Sequence, residues 1–131
     1  MSTRRIAGTR TFPAQAARVT EARSWVGSCC ADGGVDAETG DAVRLLASEV
    51  ITNAIIHTAS PRIAVEVVIE AHAVEVSVAD DDPDPPRPRD AAPTDPGGRG
   101  LTLVRVLSEQ WGTRGGTAGK CVWFRVRRLA E

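Results

Sequence analysis

The sequence predicts an α+β fold, a two-layer α/β sandwich whose mostly antiparallel sheet is covered on one face by three helices. Three observations lead there. Apolar residues recur with helical spacing in two stretches before residue 58. Two alternating segments follow, residues 62–70 and 73–80, separated by so few residues that they should pair as an antiparallel hairpin. A third helical stripe and a second hairpin then occupy the chain from residue 101 onward.

Thr9 to Phe12 reads as a short edge strand, and Pro13 is suited to open a helix running to about Cys29. Val19, Ala22 and Val26, with Trp25 beside them, form its apolar stripe, and Gly33-Gly34 ends it. A second helix begins near Asp36 or Thr39, either of which could cap it, and reaches about His57 before Ala59-Ser60-Pro61 stops it. In the hairpin Ile63, Val65, Val67 and Ile69 share one parity, as do Val74, Val76 and Val78. One face of it should therefore lie on a helix layer.

Residues 81–96 break the pattern. Six of the eight prolines and five aspartates fall there, a composition that cannot form a regular helix or pack a core. The stretch reads as a lid over roughly residues 81–98 of a single domain spanning 1–131. Gly97-Gly98-Arg99-Gly100 opens the third helix, Leu101 to Trp111, with Leu103, Val104, Leu107 and Trp111 as its buried stripe. Strands around Gly112–Thr113 and Cys121–Leu129 flank the turn at 115–119.

Bulk properties narrow the function. At 131 residues, 42% apolar and 25% charged, the chain is an ordinary globular domain. A formal net charge of −1 gives no broad basic field for a nucleic-acid backbone. No apolar run is long enough to span a membrane, and Met1-Ser2-Thr3-Arg4-Arg5 leads into no apolar signal region, so a cytoplasmic protein is expected. Adjacent Cys29 and Cys30 with a distant Cys121 match neither a disulfide framework nor a metal-binding spacing.

Three positions violate the local pattern in ways that suggest chemistry. Advancing about 100° per residue along the second helix, Val43, Leu46, Ala47, Val50, Ile51 and Ala54 cluster, and Leu45 and Ile56 extend the apolar arc. Glu49 and Asn53 fall inside that arc, one turn apart. Polar groups among aliphatics cost several kcal/mol unless partnered. They are either a hydrogen-bonded pair at the core edge or a site for a cation or polar ligand. Asn53 is also the only asparagine in the chain. Asp80 continues the parity of Val74, Val76 and Val78 and should point inward, where an acceptor could read an exocyclic amine, although a strand-end Asp can also simply start a turn. Finally, glycines at 97, 98 and 100 before a helix allow close approach of a phosphate, with Arg99 as a charged donor; a hinge for the lid is the alternative. Gly119-Lys120 is no P-loop, because Arg114 and Cys121 stand where that motif needs Gly and Ser or Thr.

Taken in order, Leu46-Ala-Ser-Glu49-Val-Ile-Thr-Asn53-Ala-Ile-Ile-His57, Val76-Ser-Val-Ala-Asp80 and Gly97-Gly-Arg-Gly-Leu101-Thr-Leu-Val104 resemble the N, G1 and G2 boxes of the GHKL (Bergerat-fold) ATPases. Ser108-Glu-Gln-Trp111-Gly112, Gly119-Lys-Cys-Val-Trp123 and Thr11-Phe-Pro13 are similar to the anti-sigma-factor serine kinase branch. The resemblance implies ATP held between sheet and helices. Asp80 would bind the adenine amino group, Asn53 would hold Mg²⁺, and Glu49 would act as general base. Gly97, Gly98, Arg99, Gly100 and Leu101 would line the ATP site, with Gly98, Arg99 and Gly100 along the phosphates. It also implies serine/threonine kinase activity on a STAS-domain anti-anti-sigma protein, and a sigma factor held by a homodimer. Asp82 and Asp84 depart from the G1 glycines, and Cys121 replaces a Thr that would give a water-mediated adenine contact. A second reading is therefore a catalytically weak or inactive interaction module that holds a sigma factor or STAS partner. A histidine-kinase catalytic domain is a third: no phosphoacceptor helix is seen, and His57 and His72 read as local structural residues.

Overall fold

The computed structural model describes residues 5–81, 108–116 and 119–129. Its elements are β1 (Arg5–Pro13), α1 (Val19–Asp32), α2 (Ala37–His57), β2 (Arg62–Ile69), β3 (Ala73–Asp80), β4 (Gln110–Gly116) and β5 (Gly119–Arg127). The five strands form one antiparallel sheet in the order β1-β2-β3-β5-β4. Both helices pack on one face, α1 over β1 and β2 and α2 over β3 and β5. The expected sandwich is present.

Pro13 ends β1 instead of opening a helix, pairing with Arg62 across the sheet. A proline is tolerated there because β1 is an edge strand. A short 3-10 turn, Ala16–Arg18, leads into α1. At the far end of α1 the Gly33 amide donates to the Cys29 carbonyl and Val35 N–H to the Cys30 carbonyl. Between them Gly34 takes φ +80, a conformation that glycine adopts at little cost. Asp36 caps α2, its carboxylate accepting from Thr39 N–H at 2.9 Å.

The core fills the space between the helices and the sheet. Val26, Val43, Leu46, Val50 and Ile51 meet Ile63, Val65, Val67, Val74, Val76 and Phe124, all under 2% exposed. Leu45 and Ile56 do not extend this stripe, being 46% and 53% exposed. Their side of α2 turns away from the sheet, so their apolar character did not imply burial.

The third expected helix is corrected at its end. Residues 101–107 lie outside the described residues, but Gln110 and Trp111 belong to β4 and not to a helix. Trp111 is registered opposite Phe124 and packs against the core from the strand. A helical stripe and a strand partner were both open to that tryptophan, and sheet pairing took it. β4 accordingly begins two residues before the expected strand at Gly112, and β5 spans Gly119–Arg127 where Cys121–Leu129 was expected. Beyond β5, Arg128 donates to the Glu70 and Gly34 carbonyls, and Leu129 N–H reaches the buried Thr39 hydroxyl. The sheet is thereby tied to the start of α2.

Hydrogen bonds from the Thr39 side chain and then its N–H hold the Asp36 carboxyl below its ordinary value of 3.8. A depressed folded value means the cap stabilises above the ordinary value, and that stability is lost as pH falls through the lowered one. Asp36→Ala should therefore melt at a lower temperature than the parent at neutral pH, the gap closing as pH drops below 3.8. Circular-dichroism melts at pH 7 and at pH 3 check this, and a gap that does not change between them would remove the capping role.

Candidate functional site

Glu49 and Asn53 sit on an unbroken stretch of α2, both half-buried. They occupy the flank between the buried stripe of Leu46 and Val50 and the exposed Leu45 and Ile56. Among the described residues no hydrogen bond joins them, so the core-edge pair that the sequence allowed is not formed. The amide and the carboxylate are instead presented side by side at the border of the core. Both carry oxygen donors, which suits a hard cation or a polar ligand.

Asp80 is the last residue of β3, and its side chain follows the inward parity of Val74, Val76 and Val78. That side chain is only 4% exposed. Lys120 stands directly across on β5, with Nζ 3.5 Å from Asp80 Oδ2. Gly119 precedes it with φ +133, and a Cβ there would overlap the Asp80 carbonyl oxygen and lie 2.8 Å from Asp81 Cα. Only glycine allows β5 to start this close to the end of β3. So the backbone and the carboxylate of Asp80 are both held from the first two residues of β5.

Lys120 is the functional candidate that the sequence reading missed. Two signals were available: it is the only lysine among sixteen basic residues, and it follows a glycine at a strand start. Cys121, by contrast, lies on the other side of β5. It is registered with Ala79, so its side chain has the opposite parity to Lys120 and points to the face away from Asp80. Burial raises the Cys121 thiol above its ordinary value and pushes Cys30 up to about 11, which leaves both thiols unreactive near neutral pH. All three cysteines are free.

Gly97, Gly98, Arg99, Gly100 and Leu101, the lid, and Asp82 and Asp84 lie outside the described residues. The link between the remaining parts is the packing of α2, which carries Glu49 and Asn53, against β3 and β5, which carry Asp80 and Lys120. An open groove of about 350 Å³ between α1 and α2, lined by Gly27, Gly40, Asp41 and Arg44, contains none of these residues.

A family model described as a histidine kinase-like ATPase domain matches residues 12–126. Among solved structures the chain is similar to the RsbU and RsbW domains of Rv1364c from Mycobacterium tuberculosis. The identity is 17%, the TM-score is 0.69, and the match covers 95% of this chain and 33% of that one. It is also similar to the histidine kinase domain of the blue-light-activated histidine kinase of Erythrobacter litoralis EL346. There the identity is 21% and the TM-score 0.54, over 88% of this chain and 61% of that one. The chain thus spans less than two thirds of either, and at such identities the likeness is one of fold. No curated protein matches it.

The Gly119 contact makes a direct test. Gly119→Ala should lose about 1–3 kcal/mol of stability through backbone strain and the displaced Asp80 carbonyl. Urea denaturation measures it, and a midpoint equal to the parent's would mean that β5 does not press on Asp80.

Proposed function

The chain belongs to the histidine kinase-like ATPase domain family, and we propose that it is an ATP-dependent serine/threonine protein kinase of the anti-sigma-factor type. Its substrate would be a STAS-domain anti-anti-sigma protein and its other partner a sigma factor, held by a homodimer in the cytoplasm. The observation that carries the reading is the pair of half-buried oxygen donors on α2, the helix that packs on the strand ending in Asp80. The fold of the RsbU and RsbW domains supports it by likeness.

The donor set fits magnesium and ATP. Among the described residues no three His, Cys, Asp or Glu side chains gather into a metal cluster. Asn53 would hold Mg²⁺ through its amide oxygen, a ligand of the kind that this hard cation takes. Bound ATP would supply the phosphoryl group. Asp80 would accept from the adenine amine, its acceptor fixed in place by Gly119 and Lys120. Glu49 would take the proton of the attacking Ser or Thr hydroxyl, which raises its nucleophilicity. Gly97, Gly98, Arg99, Gly100 and Leu101 would line the ATP site, with Gly98, Arg99 and Gly100 following the phosphates, a role that rests on the sequence resemblance. Charge neutralisation and positioning, more than covalent chemistry, carry a transfer of this kind.

One observation favours a second reading. Asp82 and Asp84 replace the glycines of the G1 pattern and bring carboxylates to the stretch expected to cover the phosphates. An interaction module that holds a sigma factor or STAS protein without phosphoryl transfer would tolerate them.

Calorimetric titration with ATP and ADP, with and without Mg²⁺, separates the two. Saturable, magnesium-dependent binding is expected, and no heat at millimolar nucleotide would move the assignment to the interaction module. Asn53→Asp should abolish Mg·ATP binding while the circular-dichroism spectrum stays unchanged, because an added carboxylate repels the triphosphate. Glu49→Gln should keep the affinity and lose phosphoryl transfer; full activity in that variant would remove Glu49 as the base.

A further inference from the structure

We propose that Lys120 reads the base: together with Asp80 it recognises a purine edge on which a hydrogen-bond donor lies next to an acceptor. The inference rests on the ATP-binding reading above and turns Lys120 from a residue that holds Asp80 into one that contacts the base itself.

The two side chains face each other from registered positions on β3 and β5, 3.5 Å apart, with 12% and 4% of their surfaces exposed. An ion pair this enclosed is a poor stability device. Desolvating both charges offsets most of their attraction, and an apolar pair of similar volume would serve the fold as well or better. What the pair offers that an apolar one cannot is chemistry. A carboxylate only accepts hydrogen bonds and an ammonium only donates them. Adenine presents its exocyclic amine, a donor, between two ring nitrogens that accept. The carboxylate would take the amine, and the ammonium would reach one of the neighbouring ring nitrogens.

Two further observations point to Lys120 and not to the next residue. Cys121, at the position where the resemblance puts an adenine contact, is registered with Ala79 and so lies on the opposite face of the sheet from Asp80. Lys120 is the residue of the β5 start that shares Asp80's side. Gly119, moreover, can be nothing larger without displacing the Asp80 carbonyl, so the strand start is built to bring position 120 up to Asp80.

The test is a titration of the full chain with Mg·ATP and with its 1-deaza and 7-deaza analogues, each lacking one ring nitrogen beside the amine. The wild type should bind ATP roughly tenfold more tightly than the analogue missing the contacted nitrogen, the size expected for one charge-assisted hydrogen bond. Lys120→Met should bind ATP and that analogue equally, and Lys120→Arg should keep part of the preference. Should Lys120→Met fail to fold, Lys120→Gln carries the same comparison. A wild type that binds all three nucleotides alike overturns the inference, as does a variant that keeps the wild-type preference. So would tighter binding of all three by Lys120→Met, since Lys120 would then mask Asp80. Absence of any ATP binding by the wild type is a different result, and it removes the nucleotide reading itself.

Discussion

The pairing of β3 with β5 governs the rest of the molecule. β3 is the middle strand of the sheet, and α2 lies across both it and β5. The register is held by packing. Val76 faces Phe124, and both are fully buried, so a slip of one residue would turn Phe124 out of the core and Arg125 into it. The same register puts Lys120 against Asp80. The apolar core thus fixes the geometry of a polar site at its margin, and an error in one would be an error in the other.

The two faces of these strands do different work. On the helix side the only charges on β3 and β5 are at their adjoining ends, Asp80 and Lys120. On the other side Glu75 is 8% exposed, and Arg125 is shared between Glu70, Glu75 and Glu109. One guanidinium thus serves three carboxylates on that face of the sheet. Arg114 stacks on Trp123 there as well, 5.1 Å from the ring centroid. α2 has a comparable division along its length, with the apolar stripe on one side and Glu49 and Asn53 on its flank.

Much of this was legible from the residues. Period-two alternation gave β2 and β3 nearly to the residue, because one parity is uninterrupted valine and isoleucine and turn residues bound both ends. Asp36 and Thr39 both offered a cap for α2, and the structure uses the Asp36 carboxylate on the Thr39 amide. Parity also announced the inward Asp80. What stayed hidden was non-local. Trp111 suited either a helix or a strand, and only its partner Phe124, in a strand later in the chain, decides between them. Leu45 and Ile56 looked like core because helical angle reports a direction and says nothing of what lies there. Lys120 gained its meaning from a residue far away in the sequence.

That distance has a consequence in chain entropy. Asp80 and Lys120 are separated by roughly forty positions of sequence, β4 among them, and the closure of that span is covered by the β3–β5 ladder and the core behind it. Closure entropy grows only with the logarithm of loop length, so doubling such a segment costs about 0.6 kcal/mol. The register that sets Asp80 against Lys120 is therefore only weakly sensitive to the length of chain between them.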